Sequence, residues 1–418
     1  MQIAQFIHRY PPALGGSEQY FARLASYLTA QGDRVTTWTT TAVDLEALWK
    51  SGYEELPETR ETELRRYRPW QFPGRRYLLK ALSLIPVLRW QCLTLPSSPF
   101  CPAMWRDAGR DATPLDAVHA GAFPYSFPII CGLRLARRHQ VPFFLTPFFH
   151  LGDSENPRDP TRRQYSQSAL RWLLRQADGV FVQTPSELSA VKQLGVAEDR
   201  LILQGLGVDP SECTGGDRQK ARARWGVSPE DVVVGHLANL SEEKGSCDLV
   251  RTLRIGLPAQ VRLVLAGPRM PNFHRCLQGV SDSPRLILTG PLSDTEKRDF
   301  FAGIDLFALP SRSDSFGLVL LESWANGKPV IAYRAGGPAD LVHHEHDGML
   351  VRCGAIAELA SILSRLSQQP ERCRRLGQHG LQRIPKEFSW PEKLRLVRHH
   401  IMAAVSRQNH ERTCQESA

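Results

Sequence analysis

Between Leu64 and Trp105 the sequence has no acidic residue, and nowhere does it place two cysteines close together or carry an Asp-x-Asp motif. Each absence excludes something. Nine cysteines, odd in number and scattered, argue against a metal cluster and for a reducing compartment. The start of the chain, Met1 to Ile7, lacks the basic opening and long apolar core of a secretory leader and reads as a strand. A cytoplasmic location is therefore expected. The acid-free segment cannot cross a membrane, because its longest uncharged part near the centre, Ala81 to Leu88, contains Pro86 and falls far short of about 20 residues. No nucleic-acid motif accompanies the net charge of +9, and no internal repeat is evident beyond two α/β halves.

What is present points to a two-domain α/β protein. A chain of 418 residues exceeds the roughly 250–300 at which single cores stop growing, and 42% apolar content suffices to build two. Gln2 to Ile7 and Arg34 to Thr39 read as strands. Tyr20, Phe21, Leu24 and Leu28 recur between them at helical spacing, with Ser17 as a candidate cap and Gly32 as a stop. Gly15 and Gly16 open that helix directly after the first strand, a loop suited to a phosphate or an acceptor. Asp116 to His119 and Pro142 to His150 read as buried strands ending at polar residues. His119 and His150 are thereby site candidates, although a lone histidine is more often structural. A second α/β series begins at Val232, after a polar, turn-rich linker at Pro210 to Lys220. The run His343-His-Glu-His-Asp347 is read as a solvated loop, since consecutive residues cannot all converge on one ion.

The most informative stretch is Leu309 to Ala332. A strand ends in the polar turn Pro310 to Ser315, an apolar helical run starts near Phe316, and Gly327 and Pro329 stop it before another strand. Asp314 falls in the turn and Glu322 in the helix. A backbone that leaves a parallel strand and opens a helix presents N–H groups where doubly wound sheets bind ligands. Gly317 permits close approach of an anion, and the two acids can accept hydrogen bonds from hydroxyls. A nucleotide-sugar suits this arrangement; so does an ordinary βαβ unit with two solvated acids.

Asp314-x7-Glu322 resembles the acid-x7-acid signature of the GT4-type retaining glycosyltransferases, and Ala335-Gly-Gly-Pro-Ala-Asp340 is similar to the Gly-Gly-x-x-Glu stretch that follows it there. Both are shortened by one methylene, Asp for Glu. Lys244-Gly245 matches the family's diphosphate-gripping Lys-Gly, while Asn239 stands where an arginine is usual. The resemblance extends over nearly the whole chain and implies an α/β, GT-B fold: two Rossmann-like doubly wound domains facing a central cleft. The implied bounds are 1–209 for the acceptor-side domain and 210–389 for the nucleotide-sugar domain, a helix at about 390–406 packing back on the first, and a polar tail at 407–418.

The resemblance also implies roles. Lys244 would hold the diphosphate, Glu322 the ribose, Asp314 the sugar hydroxyls, and His150 the sugar near the reacting carbon. Gly15, Gly16, Asn239, Leu292, Phe316, Gly317 and Leu318 would line the donor. His119 is a weaker candidate, and Arg269 and Arg312 could replace the missing arginine. The reaction moves a sugar from a nucleotide-sugar donor to a glycan or lipid-linked acceptor, with no cofactor and no metal, as helix N-termini and cations can stabilise a departing diphosphate. No nucleic-acid partner is expected. A sugar-nucleotide epimerase, a phosphorylase or a non-catalytic binding protein of the same fold is the alternative. Residues 64–105, with seven Lys or Arg among aromatics and leucines, read either as an attachment to anionic membrane at the inner face or as internal helices with solvated arginines.

Overall fold

The computed structural model describes residues 1–152, 158–279 and 283–416. Its Cα framework divides into two compact units, Met1–Phe149 with Arg163–Gln204 and Pro391–Ala418, and His150–Arg162 with Gly205–Trp390. The division falls at Gln204 rather than at 209, and His150 goes with the second unit. The expected linker at Pro210 to Lys220 is not a free tether. Asp209 and Asp217 cap the helices Pro210–Cys213 and Arg218–Trp225 by accepting from Ser211 and Lys220 backbone N–H groups, and Arg218 is ion-paired to Asp305 at 2.7 Å.

The first unit is built on eight strands: β1 Gln2–Phe6, β2 Arg34–Thr40, β3 Thr59–Arg60, β4 Leu64–Tyr67, β5 Ala117–Gly121, β6 Phe143–Thr146, β7 Gly179–Val182 and β8 Leu201–Leu203, in the order β3-β4-β2-β1-β5-β6-β7-β8. All pairs are parallel except β3 with β4. Parallel strands covered by helices on both faces are buried along their whole length, as Ala117–Gly121 and Phe143–Thr146 are. Phe6 and Trp38, paired across β1 and β2, stack with ring centroids 5.0 Å apart, and Tyr67 of β4, two residues out of register, stacks on Trp38 at 5.6 Å. The helix Gly16–Ala30 has Gly15 as its N-cap, and Ser17 does not cap it: its hydroxyl donates instead to the Glu18 carboxylate at 2.8 Å.

The helix expected at 390–406 runs as Trp390–Glu416, so most of the anticipated tail is helical. No glycine or proline interrupts His399 to Glu416, and the side chains of Gln408 and Arg412 donate to the Gln140 carbonyl. Arg398 pairs with Asp33 at 2.7 Å, which also accepts from the N-terminal ammonium at 2.9 Å. Residues 64–105 form β4 and three short helices, Arg75–Leu82, Leu88–Thr94 and Pro102–Ala108. Among the described residues, no helix is long and apolar enough to cross a membrane.

The second unit carries six parallel strands, β9 Val232–Leu237, β10 Val261–Ala266, β11 Leu286–Gly290, β12 Leu306–Leu309, β13 Val330–Tyr333 and β14 Gly348–Val351, ordered β11-β10-β9-β12-β13-β14. The order reverses at β9 and β12, so the loops after these two strands flank the switch point where doubly wound sheets bind ligands. Val234, Leu263, Leu306 and Ile331 form the centre of its core. Among the scattered cysteines the fold pairs two: Cys247 and Cys276 form a disulfide across 29 residues. The sequence showed no close pair because the fold, not the chain, brings the helix Ser246–Ile255 against the helix Phe273–Cys276.

Candidate active site

The loop after β9 and the loop after β12 meet at the switch point. Lys244 reaches from the first to Asp314 in the second, Nζ to Oδ2 at 2.7 Å. Gly245, with φ of +73°, lies so close to the Pro310 carbonyl that a Cβ would collide with it, and this contact is what brings the lysine alongside the acid turn. The same logic explains the glycine pair after β13. Gly336, at φ of +57°, packs on the Asp314 carbonyl and Gly337 on that of Ser315, while the Gly337 N–H donates to the Asp314 carbonyl at 2.8 Å. The Ala335-Gly-Gly motif is thus a brace for the acid loop.

His150 completes the group: its Nδ1 lies 3.3 Å from the Ser313 hydroxyl. Burial lowers its pKa to about 4, and the Lys244 ammonium pushes in the same direction, so the imidazole is neutral at pH 7. Burial acts on Asp314 in the opposite sense, raising its carboxyl, but Lys244 and then His150 more than offset this and hold it below the usual value. An ionised carboxylate, an ammonium and a neutral imidazole therefore converge on one patch. That set suits a ligand with both phosphates and hydroxyls.

Glu322 lies in the second turn of the helix Leu318–Ala325 and pairs with Lys297 at 2.8 Å. Lys297 belongs to the helix Asp294–Gly303, opened by a full capping box between Ser293 and Glu296. It is a residue the sequence reading missed. The signal was the Ser293-x-x-Glu296 box, which fixes the start of this helix and hence the face that carries Lys297. Gly317 is the N-cap of the helix bearing Glu322, at φ of +93°, and Leu318 is its first residue. Phe316 is buried against Phe388, so only its backbone faces the turn, with its N–H 3.4 Å from Asp314 Oδ1. Leu292 is partly exposed in the loop after β11.

The two arginine candidates separate. Arg312 is ion-paired with the fully buried Asp248 and lies 3.7 Å from Glu242, and Asp248 also accepts from Tyr333 at 2.8 Å. Its charge is committed to this internal network. Arg269 is exposed and sits in a parallel bridge with Leu240, next to the exposed Asn239.

In the first unit, His119 is a core residue rather than a site residue. It is wholly buried, enclosed by Tyr20, Phe21 and Phe181, with Nε2 2.7 Å from Thr146 Oγ1 and burial lowering its pKa to about 3. Gly15 leaves room for the Glu18 carboxylate, which Arg9 holds at 2.6 Å and His8 at 3.4 Å, while Gly16 is exposed at the helix start. Glu18 was not singled out from the sequence. A buried acid one turn into a helix gives no periodic signal, and its partners His8 and Arg9 become visible only in the fold.

The histidine run is an exposed turn, as expected for His343 to His346, with Asp347 buried. Backbone N–H groups of His346 and Asp347 return to the His343 carbonyl, so ligand atoms of His343, His346 and Asp347 come within 4.8 Å of one another. Spacing of three and four residues within this turn brings together side chains that an extended run would splay. Asp347 is nevertheless engaged by Arg383 at 2.6 Å and by the His343 backbone N–H at 2.9 Å.

Two family models match the chain: one described as glycosyl transferases group 1 over residues 217–383, the other as glycosyl transferase 4-like domain over residues 15–207. The D-inositol 3-phosphate glycosyltransferase of Mycobacterium tuberculosis is 30% identical over 273 residues, covering 63% of this chain and 55% of that protein. Its counterpart from Stackebrandtia nassauensis is 28% identical over 257 residues, covering 58% and 56%. The chain thus spans little more than half the length of these relatives. Among solved structures, Alr3699/HepE from Anabaena in complex with UDP and glucose superposes with a TM-score of 0.73 at 20% identity, covering 96% of this chain and 100% of that one. Sucrose-phosphate synthase from Thermosynechococcus elongatus gives 0.70 at 20% identity, with both chains fully covered. These neighbours share the two parallel-sheet domains of the GT-B fold.

Proposed function

The chain belongs to the GT4-type glycosyl transferases of group 1, and on that premise we propose that it moves a sugar from a nucleoside diphosphate to an acceptor hydroxyl with the anomeric configuration retained. The observation that carries this reading is the Lys244–Asp314 pair at the switch point with the neutral His150 beside it. A departing diphosphate needs preorganised positive charge. Lys244 supplies it by exchanging its bond to Asp314 for one to phosphate, which frees the carboxylate to accept from sugar hydroxyls. His150, uncharged, hydrogen-bonds the sugar without repelling the positive charge that builds on the ring. Glu322 accepts from the ribose, oriented by Lys297. Arg269 stands in for the arginine that Asn239 replaces, and with these cations in place the reaction needs no metal ion.

The acceptor belongs to glycan, glycolipid or polysaccharide synthesis, and the protein works at an anionic membrane face on the cytoplasmic side, attached through residues 64–105. A thermal-shift screen with free UDP, GDP and ADP tests the donor site. One nucleotide at 100 times its Kd should stabilise the protein by about 2.7 kcal/mol, a rise of several degrees, and its sugar derivatives should be slowly hydrolysed. Silence towards all three would favour a binding protein that has kept the fold without the activity.

A further inference from the structure

Among the described residues, large hydrophobic side chains that remain exposed are few and scattered, with one exception. Seven of the thirteen lie between Tyr77 and Trp90. They surround the turn joining the helices Arg75–Leu82 and Leu88–Thr94, where Leu84 is 77% exposed and Val87 53%. Clustering of this kind on a polar surface marks a docking face.

The hairpin is anchored from inside. Leu79 and Cys92 are buried, the buried Arg75 donates to the Ser98 carbonyl, and Ser126 donates to the Cys92 carbonyl at 2.6 Å. The exposed apolar side chains are therefore not displaced core residues.

At the tip most backbone polar groups are paired within the hairpin. The Leu82 carbonyl accepts from the Trp90 indole at 2.9 Å, and those of Ser83 and Ile85 accept from the Gln91 amide at 3.1 and 3.2 Å. Backbone N–H groups of Ser83, Leu84, Ile85 and Val87 all donate within the turn, and Pro86 has none to satisfy. Entering an apolar medium is unfavourable chiefly for unpaired polar groups, so a turn with most of them paired enters at reduced cost. Around it Arg76, Lys80 and Arg89 are exposed, with no acid from Leu64 to Trp105.

We propose that this turn inserts into the interface of an anionic lipid bilayer, Leu84 and Val87 entering the acyl boundary while Arg76, Lys80 and Arg89 meet headgroup phosphates. The inference rests on the membrane attachment proposed above and adds an apolar anchor to it. The charges draw the protein to the surface, and the wedge holds it there when salt screens them.

Co-sedimentation with phosphatidylglycerol vesicles separates the two, using the full chain and two double variants, Leu84→Glu with Val87→Glu and Arg76→Glu with Lys80→Glu. The wild type should retain binding at 0.5 M salt, and the tip variant should bind at least tenfold more weakly while keeping its melting temperature and nucleotide response. If the tip variant binds like the wild type and only the charge variant fails, attachment stands and insertion is refuted. If the wild type ignores vesicles, both are refuted. A wild-type dimer in gel filtration that the tip variant converts to a monomer would overturn the proposal in favour of self-association.

Discussion

Removing the Lys244 ammonium should change three observables together. Lys244 and Asp314 are 27% and 17% exposed, so their bond at 2.7 Å is only partly screened by solvent. Lys244→Ala leaves Asp314 without its counter-charge in a site where burial alone raises its carboxyl, which costs on the order of 1–3 kcal/mol of stability. The sign follows from linkage. The carboxyl is depressed in the folded wild type, so the pair stabilises the protein above the unfolded pKa, and this is lost as pH falls through the folded value. In the variant this acid-side loss should shrink, because the depression of the Asp314 carboxyl that produces it is smaller. His150 should respond in the same direction: Lys244 lowers its pKa and Asp314 raises it, so the imidazole should titrate above its wild-type value of about 4. Turnover should fall by about 10², as when a preorganised donor to an oxyanion is removed. The assay is donor hydrolysis across pH 5 to 9, with the His150 imidazole followed by NMR down to about pH 3. Normal turnover would show that the diphosphate is held elsewhere, and an unmoved His150 titration would refute the electrostatic account of the group.

Glu322→Ala should weaken binding of the bare nucleoside diphosphate about 10- to 100-fold by calorimetry while Asp314→Ala should not; equal losses would reject the division of roles. Arg269→Ala should reduce turnover to within tenfold of Lys244→Ala, whereas Arg312→Ala, whose charge is spent on Asp248, should act through a lower melting temperature; the reverse pattern would move the phosphate site to the other loop. Cys276→Ser should destabilise the second unit by about 3–4 kcal/mol, from opening a loop of 29 residues, and the loss should vanish when both proteins are melted in reductant. Gly336→Ala forces a Cβ against the Asp314 carbonyl at φ of +57°, so turnover should fall although no group that contacts substrate is altered; unchanged kinetics would show that the brace is dispensable.

The parts legible in the sequence were those that depend on local pattern. The strand, turn and helix around Asp314 and Glu322 followed from apolar runs punctuated by Gly327 and Pro329, and the Lys244-Gly245 pair from a short motif. What depends on contacts between distant segments was not legible. The disulfide joins two helices that no spacing relates, the Arg312 charge is taken by an aspartate 64 residues earlier, and Lys297 meets Glu322 across two separate helices. His119 illustrates the same limit in reverse. Its place at the end of a buried strand suggested a site, and only the rings of Tyr20, Phe21 and Phe181 show that it belongs to the core.

The central claim is that the patch formed by Lys244, Asp314 and His150 transfers a glycosyl group with retention. Proton NMR of the free sugar as it is released from an α-linked nucleotide-sugar reads this directly, before mutarotation mixes the anomers. The account predicts the α-anomer first, with release slowed about 10² in Lys244→Ala. Initial appearance of the β-anomer, or release at the same rate in Lys244→Ala, would contradict it.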